Sequence, residues 1–257
     1  MMASESRWGN ASHLRLGLMY LCGVLFLALS LPVLLEPMLY WTGIIFGGYE
    51  YPTHEVHHFV LGIVLISLLL GIISQAYRPS DRPAALHSSI IIWGWFTIFF
   101  TIGDGFEPMF VVLLGLLIAM ALFHPAGSSQ LPEASSFSRP FGYLAILTAV
   151  LAFGFAGNEL LTHLNVTDAH VSLSHYLFMA TAAASVGTLL IRGSFSDRDW
   201  RYPIYLATAF IVIFGLASIV YPGAEQGSSA GQIGGAICVL WAGTLLIIAE
   251  RGKSLLE

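Results

Sequence analysis

Histidine is the residue type in this chain whose number and spacing could do chemistry. Six of the nine histidines fall in two short stretches beside apolar runs: His54, His57, His58, His163, His170 and His175. Imidazole is the commonest side-chain ligand for metals, and it titrates near neutral pH. His54 and His58 are four residues apart, a spacing that puts both rings on one face of a helix. The pattern therefore predicts a metal site to which both stretches contribute.

The candidate ligands are imidazoles and neighbouring carboxylates, a donor set that suits a divalent transition metal. They are His54, Glu55, His58, Asp168, His170 and His175. We expect at least three of the six to meet in one pocket beneath an apolar interfacial segment, Glu36–Pro52. The alternative is that the histidines anchor helix ends at the membrane surface and bind no metal.

The elements that position these residues are apolar. The 257 residues are 56% hydrophobic and 10% charged, whereas soluble domains are about 25% charged. This composition excludes a soluble enzyme. Apolar runs in a membrane must be helices, because only helices satisfy their own backbone hydrogen bonds there. The predicted spans are Leu16–Leu35, Phe59–Tyr77, Ser88–Gly103, Met109–Phe123, Phe141–Leu161, Val171–Ile191, Pro203–Tyr221 and Ile233–Ala249. The third and fourth are short, so six spans with a re-entrant hairpin is the alternative.

The basic residues predict the orientation of these spans. With eight spans, all ten Lys and Arg residues fall on one side of the membrane. Because basic residues favour the cytoplasmic side, both termini are expected in the cytoplasm, with the six histidines at the outer face of the cell membrane. No charged residue falls near the middle of a span, which argues against a proton pump.

An internal duplication is predicted from two landmarks in one register. Ser80–Arg82 recurs as Ser196–Arg198, and His54 recurs as His170, both at an offset of 116 residues. Since four helices return the chain to its starting side, the two halves must be parallel. We therefore predict an all-α polytopic membrane protein of eight helices in two parallel four-helix repeats. The halves are residues 1–124 and 141–257, joined by a cytoplasmic linker, 125–140.

Two segments of the second half resemble a known module. Leu173–Phe178 and Leu245–Arg251, with a fainter echo in Val56–Leu61, resemble the four-helix small membrane module of tripartite ATP-independent periplasmic (TRAP) transporters. In that family the module carries no catalytic residue and assists a larger permease subunit. The resemblance implies a subunit in the lipid bilayer that assists a larger protein. Independently, the glycines of the last predicted span favour close helix packing, either within the protein or with a membrane protein partner.

Two functions are compatible with these observations. The absence of charged residues near the middle of the spans favours a non-catalytic membrane subunit or small permease. The alternative is a metal-binding membrane oxidoreductase or metal carrier that uses the outer histidines. No feature of the chain indicates a nucleic-acid partner.

Overall fold

The computed structural model describes residues 9–46, 54–77, 79–127, 139–195, 199–224 and 227–254. Within these ranges the regular structure is helical, without strands, which confirms the all-α prediction. The α-helices are α1 (Gly9–Phe46), α2 (Glu55–Ile73), α3 (Pro83–Gly103), α4 (Pro108–Phe123), α5 (Arg139–Asn165), α6 (Ala169–Ser172), α7 (His175–Ser194), α8 (Arg201–Val220) and α9 (Gly231–Ser254). Two single 3₁₀ turns, Ser74–Ala76 and Pro79–Asp81, lie between α2 and α3.

Seven of the described helices are long and apolar enough to cross a membrane, which confirms a multi-pass membrane protein. They are α1, α2, α3, α5, α7, α8 and α9. The helix α4 is apolar but has only 16 residues, about 24 Å at 1.5 Å per residue, less than the roughly 30 Å of a hydrocarbon core. An eighth span therefore stays a prediction.

The predicted span Val171–Ile191 is wrong as one continuous helix. The structure divides it into α6 and α7, separated by Leu173 and Ser174. Asp168 caps the start of α6 by accepting a hydrogen bond from the Val171 N–H, at 3.0 Å. Ser174 has a left-handed backbone, with φ of 54°, and its hydroxyl donates to Asp104 Oδ2 at 2.6 Å. The Asp168 cap thus starts α6, and the left-handed backbone at Ser174 separates α6 from α7.

The predicted interfacial segment Glu36–Pro52 is not a separate element in the part that the structure describes. The helix α1 runs without interruption to Phe46, so the first part of the segment continues the first span. The rest lies outside the described residues, as do residues 128–138 of the predicted linker and the second Ser-Asp-Arg triplet, Ser196–Arg198. Ser80–Arg82 lies between α2 and α3.

The helices pack as two groups. In the first group, α1 and α3 each pack against α2 and α4. In the second group, α5 and α8 each pack against α7 and α9. Between the groups, α2 and α3 pack against α7 and α8. The helices α2 and α7 are the two most buried of the seven candidate spans. Any side chain at their adjacent ends is therefore shielded on several sides.

Candidate metal centre

Four histidines converge where α2 and α7 begin. His54 directly precedes α2, His57 lies in its first turn, His170 lies in α6 and His175 begins α7. One ring nitrogen from each lies within 4.8 Å of those of the other three. Ligands on a tetrahedral zinc ion, bound at about 2.0–2.1 Å, are about 3.3 Å apart. A small inward movement of the rings would therefore complete a four-imidazole site.

The ring positions support this convergence. The His54 ring centroid is 4.6 Å from that of His170 and 4.6 Å from that of His175. The His57 ring is 5.0 Å from His170 and 4.8 Å from His175. Each helix group thus supplies two imidazoles, and each of these imidazoles faces both from the other group.

The break between α6 and α7 makes this geometry possible. His170 and His175 are five residues apart, which in a continuous helix would put them about 140° apart around the axis. The left-handed Ser174 redirects the chain between them. As a result, both rings face the same point, which the sequence spacing alone does not predict.

The four imidazoles are poorly satisfied by the protein itself. His54, His57 and His175 are at most 5% exposed, and His170 is partly buried. In the described part of the chain, His54 Nδ1, His57 Nδ1, His170 Nε2 and His175 Nδ1 are buried without a hydrogen-bond partner. A buried polar atom left unpaired costs about 1–3 kcal/mol. Four converging rings, each with such an atom, are explained economically by a metal ion between them.

Asp168 lies beside one of the four rings. Its Oδ2 lies 3.6 Å from His170 Nδ1 and accepts a hydrogen bond from the Tyr176 hydroxyl at 2.8 Å. Burial acts to raise the pKa of Asp168, but hydrogen bonds from the Val171 N–H and Tyr176, and the nearby His170, hold that pKa below its ordinary value. With the carboxylate beside Nδ1, Nε2 is the His170 ring nitrogen that is buried without a partner. Metal-binding histidines commonly have a carboxylate behind them in this way.

His54 is held in the neutral form that binds metals. Burial, and secondarily the neighbouring His170 imidazole, lower the pKa of His54 below its ordinary value. Only the unprotonated imidazole has a lone pair available for a metal. The site therefore keeps this ligand ready at neutral pH.

The predicted ligand set overlaps the structural group in part. His54, His170 and His175 belong to the group, whereas Glu55, His58 and Asp168 do not. Glu55 is buried at the start of α2. His58 is also buried, and its ring centroid lies 5.1 Å from that of His175. Asp168 acts behind His170, as described above.

His57 is the member of the four-histidine group that sequence reasoning missed. The i, i+4 spacing favoured His58, but that rule holds only inside a helix. His54 lies before α2, with φ of −136°, so its side chain does not follow the helical rotation. The three-residue spacing of His54 and His57 was the signal that could have found this ligand.

His163, one of the six clustered histidines, has a different role. Its Nε2 lies 2.8 Å from Asp104 Oδ1, and Asp104 Oδ2 accepts the Ser174 hydroxyl. Asp104, from the α3–α4 turn, thus joins α5 to the break that positions His170 and His175. This network supports the site from behind without supplying a ligand.

A small cavity of about 120 Å³ opens beside the four histidines. His57 and His170 form one wall, Glu159 and Tyr176 another, and the α8–α9 loop closes it. In that loop Gly227 has φ of 85°, and a Cβ there would lie 2.6 Å from the His57 ring. Only glycine lets the loop approach so closely. Structural zinc sites are closed by protein ligands, whereas catalytic sites keep space for another molecule.

Comparison with known proteins gives no relative. No family model, no curated protein and no solved structure matches the chain.

Proposed function

We propose that the protein is a membrane metalloprotein that holds one divalent transition metal ion between His54, His57, His170 and His175. The observation that carries the proposal is the meeting of four imidazoles from two helix groups, each with a buried ring nitrogen that has no hydrogen-bond partner. Imidazole ligands suit zinc and copper better than magnesium or calcium. The metal analysis below therefore uses Zn²⁺ and Cu²⁺.

The geometry favours a metal-dependent membrane enzyme, such as an oxidoreductase, over a metal carrier. The cavity beside His57 and His170 gives a small molecule access to the metal, with Glu159 within reach as a proton acceptor. A carrier would need further polar groups along a path through the bilayer. Directly beneath the site, the walls are instead Val60 and Met179.

We also propose that the two helix groups are parallel repeats. Exchange of α1, α2, α3 and α4 with α5, α7, α8 and α9 turns each packed pair within one group into a packed pair of the other. The same exchange turns the α2–α8 contact into the α3–α7 contact. In this exchange His57, in the first turn of α2, corresponds to His175, at the start of α7. The additional residues around Ser174 account for the different spacing of His54 and His170.

The remaining expectations stay predictions: the outer face for the histidines, the cytoplasmic termini, the resemblance to the TRAP module, and a partner bound through α9. A subunit role would not by itself require four converging histidines. The metal-binding function therefore takes precedence.

Metal analysis of the purified protein tests the proposal. After chelation and dialysis, the chain should take up one Zn²⁺ or one Cu²⁺, measured by mass spectrometry of the metal. His57→Ala and His175→Ala should each abolish stoichiometric binding. His13→Ala, an exposed histidine of α1, is the matched control and should bind as the wild type does. Equal binding by all three variants would refute the site.

A further inference from the structure

A second, larger cavity lies under the metal centre. It has a volume of about 500 Å³, within the roughly 300–1,000 Å³ of small-molecule sites. Side chains from α2, α5, α7, α8 and α9 line it, and they are apolar except for Thr148. The Thr148 hydroxyl donates to the Leu144 carbonyl and accepts from the Trp241 indole N–H, so it offers no free donor. This cavity is suited to a hydrocarbon chain.

The two cavities are stacked because three helices each carry a polar group above an apolar face. On α2, Val60 follows His57 by three residues, and on α7, Met179 follows His175 by four. Met179 lines both cavities. On α5, Phe155 precedes Glu159 by four residues. Residues three or four apart lie on one helix face, so the polar cavity continues into the apolar one.

The apolar cavity has an opening toward the lipid. Leu147, Leu151 and Ile237 line it and are 48%, 62% and 59% exposed. The hydrogen bond between Trp241 and Thr148, at 3.0 Å, joins α5 to α9 at the end far from the histidines. Thr148 lies eleven residues below Glu159, about 16 Å along the helix. A chain of twelve carbons has a comparable length.

The polar cavity restricts the head of such a molecule. Its 120 Å³ is the volume of about four water molecules, too small for a phospholipid headgroup. A carboxylate head would lie against the Glu159 carboxyl, and a cationic head would lie against the metal. An uncharged hydroxyl avoids both conflicts, because it can donate to Glu159 and direct its oxygen toward the metal.

We infer that the protein binds a single-chain lipophilic alcohol, which enters from the bilayer between α5 and α9 and places its hydroxyl beside the metal centre. The inference rests on the proposed metal site and names the class of substrate for it. The apolar chain occupies the larger cavity, and the hydroxyl occupies the smaller one.

Quenching of Trp241 fluorescence tests the inference. The protein in lipid nanodiscs is titrated with 12-bromododecan-1-ol, and the signal of a Trp241→Phe variant is subtracted. We expect saturable quenching that unlabelled dodecan-1-ol reverses at concentrations at least tenfold below dodecane or dodecanoate. Equal competition by dodecane, or stronger competition by dodecanoate, would overturn the assignment of the head.

A cavity-filling variant tests the location. Ala152 lines the apolar cavity, so Ala152→Phe should weaken dodecan-1-ol binding at least tenfold. Gly154→Phe is the matched control on α5, because a side chain there meets no neighbour within 4 Å. Unchanged binding in Ala152→Phe would overturn the inference.

Metal titration of the same samples separates the two proposals. Ala152→Phe should still bind one metal ion. If the wild type binds the alcohol but no metal, the proposed function fails and the apolar site remains. If it binds metal without saturable alcohol binding, this inference alone fails.

Discussion

Replacement of Asp104 by alanine should weaken metal binding although Asp104 is not a ligand. Its carboxylate accepts the Ser174 hydroxyl at 2.6 Å and pairs with His163 at 2.8 Å. Ser174 has a left-handed backbone, with φ of 54°, which costs about 1–2 kcal/mol for a residue other than glycine. The bond to Asp104 offsets that cost and holds the break between His170 and His175.

The magnitude follows from that bond. A hydrogen bond to a charged group contributes about 1.5–3 kcal/mol. The bond is at the protein surface, so we take the lower value, about 1.5 kcal/mol, which is about tenfold in an equilibrium constant. Asp104→Ala should thus raise the Kd for Zn²⁺ about tenfold. Changes to groups that hold metal-binding side chains in place typically weaken metal binding about 10–100-fold.

Isothermal titration with Zn²⁺ is the assay, and two variants make it specific. Glu107→Gln changes a carboxyl in the same turn, one that caps α4, and should leave the Kd within threefold. Ser174→Gly should also bind normally, because glycine adopts the left-handed backbone without strain. In the Ser174→Gly background, Asp104→Ala should then weaken binding less than in the wild type. An unchanged Kd in the single Asp104→Ala variant would refute the reasoning.

Three further outcomes are expected. Zn²⁺ at about 100 times its Kd should add about 2.7 kcal/mol to the free energy of unfolding, seen as a higher Tm that His175→Ala abolishes. Burial lowers the pKa of His124 in the folded protein below its ordinary value of 6.5. As the pH falls, His124 is therefore protonated in the unfolded chain before it is protonated in the folded protein. The metal-free protein should accordingly lose stability as the pH falls below about 6.5. The drop in Tm between pH 7 and pH 5 should be smaller in His124→Gln, and an equal drop would contradict the assignment. Gly235→Ala should lower the Tm, because its Cβ would lie 2.5 Å from a backbone carbonyl of α8, whereas Gly243→Ala meets no neighbour and should not.

The helical membrane fold could be predicted from composition because hydrocarbon leaves a chain few alternatives. Run length and charge placement identify apolar helices, and helix ends then follow within a few residues. The length of α1 was not predictable from its apolar run, since residues up to Phe46 continue the helix beyond the span. Nor was the break at Ser174, which depends on Asp104, a residue 70 positions earlier in the chain.

The sequence was enough to predict that the candidate site consists of histidines, but not which histidines belong to it. Histidines beside two helix starts were visible in the sequence, and three of the six residues chosen belong to the group. The choice between His57 and His58 depended on where α2 begins, one residue after His54. A boundary of that precision is set by tertiary contacts, among them the approach of Gly227 to the His57 ring.

The charges around the site explain why carboxyl groups accompany the histidines. The helices α2 and α7 both begin at the metal centre, and the start of a helix carries a partial positive charge that disfavours a cation. Two helix dipoles would oppose a divalent ion there. The neutral imidazoles carry no negative charge that would compensate for this. Asp168 behind His170 is the nearest carboxylate that would oppose this charge, and Glu55 in the first turn of α2 and Glu159 across the small cavity are two further carboxyl groups nearby. Two of these three, Glu55 and Asp168, were chosen from the sequence as ligands; in the proposed site their contribution would be electrostatic, offsetting the positive charge of the two helix starts.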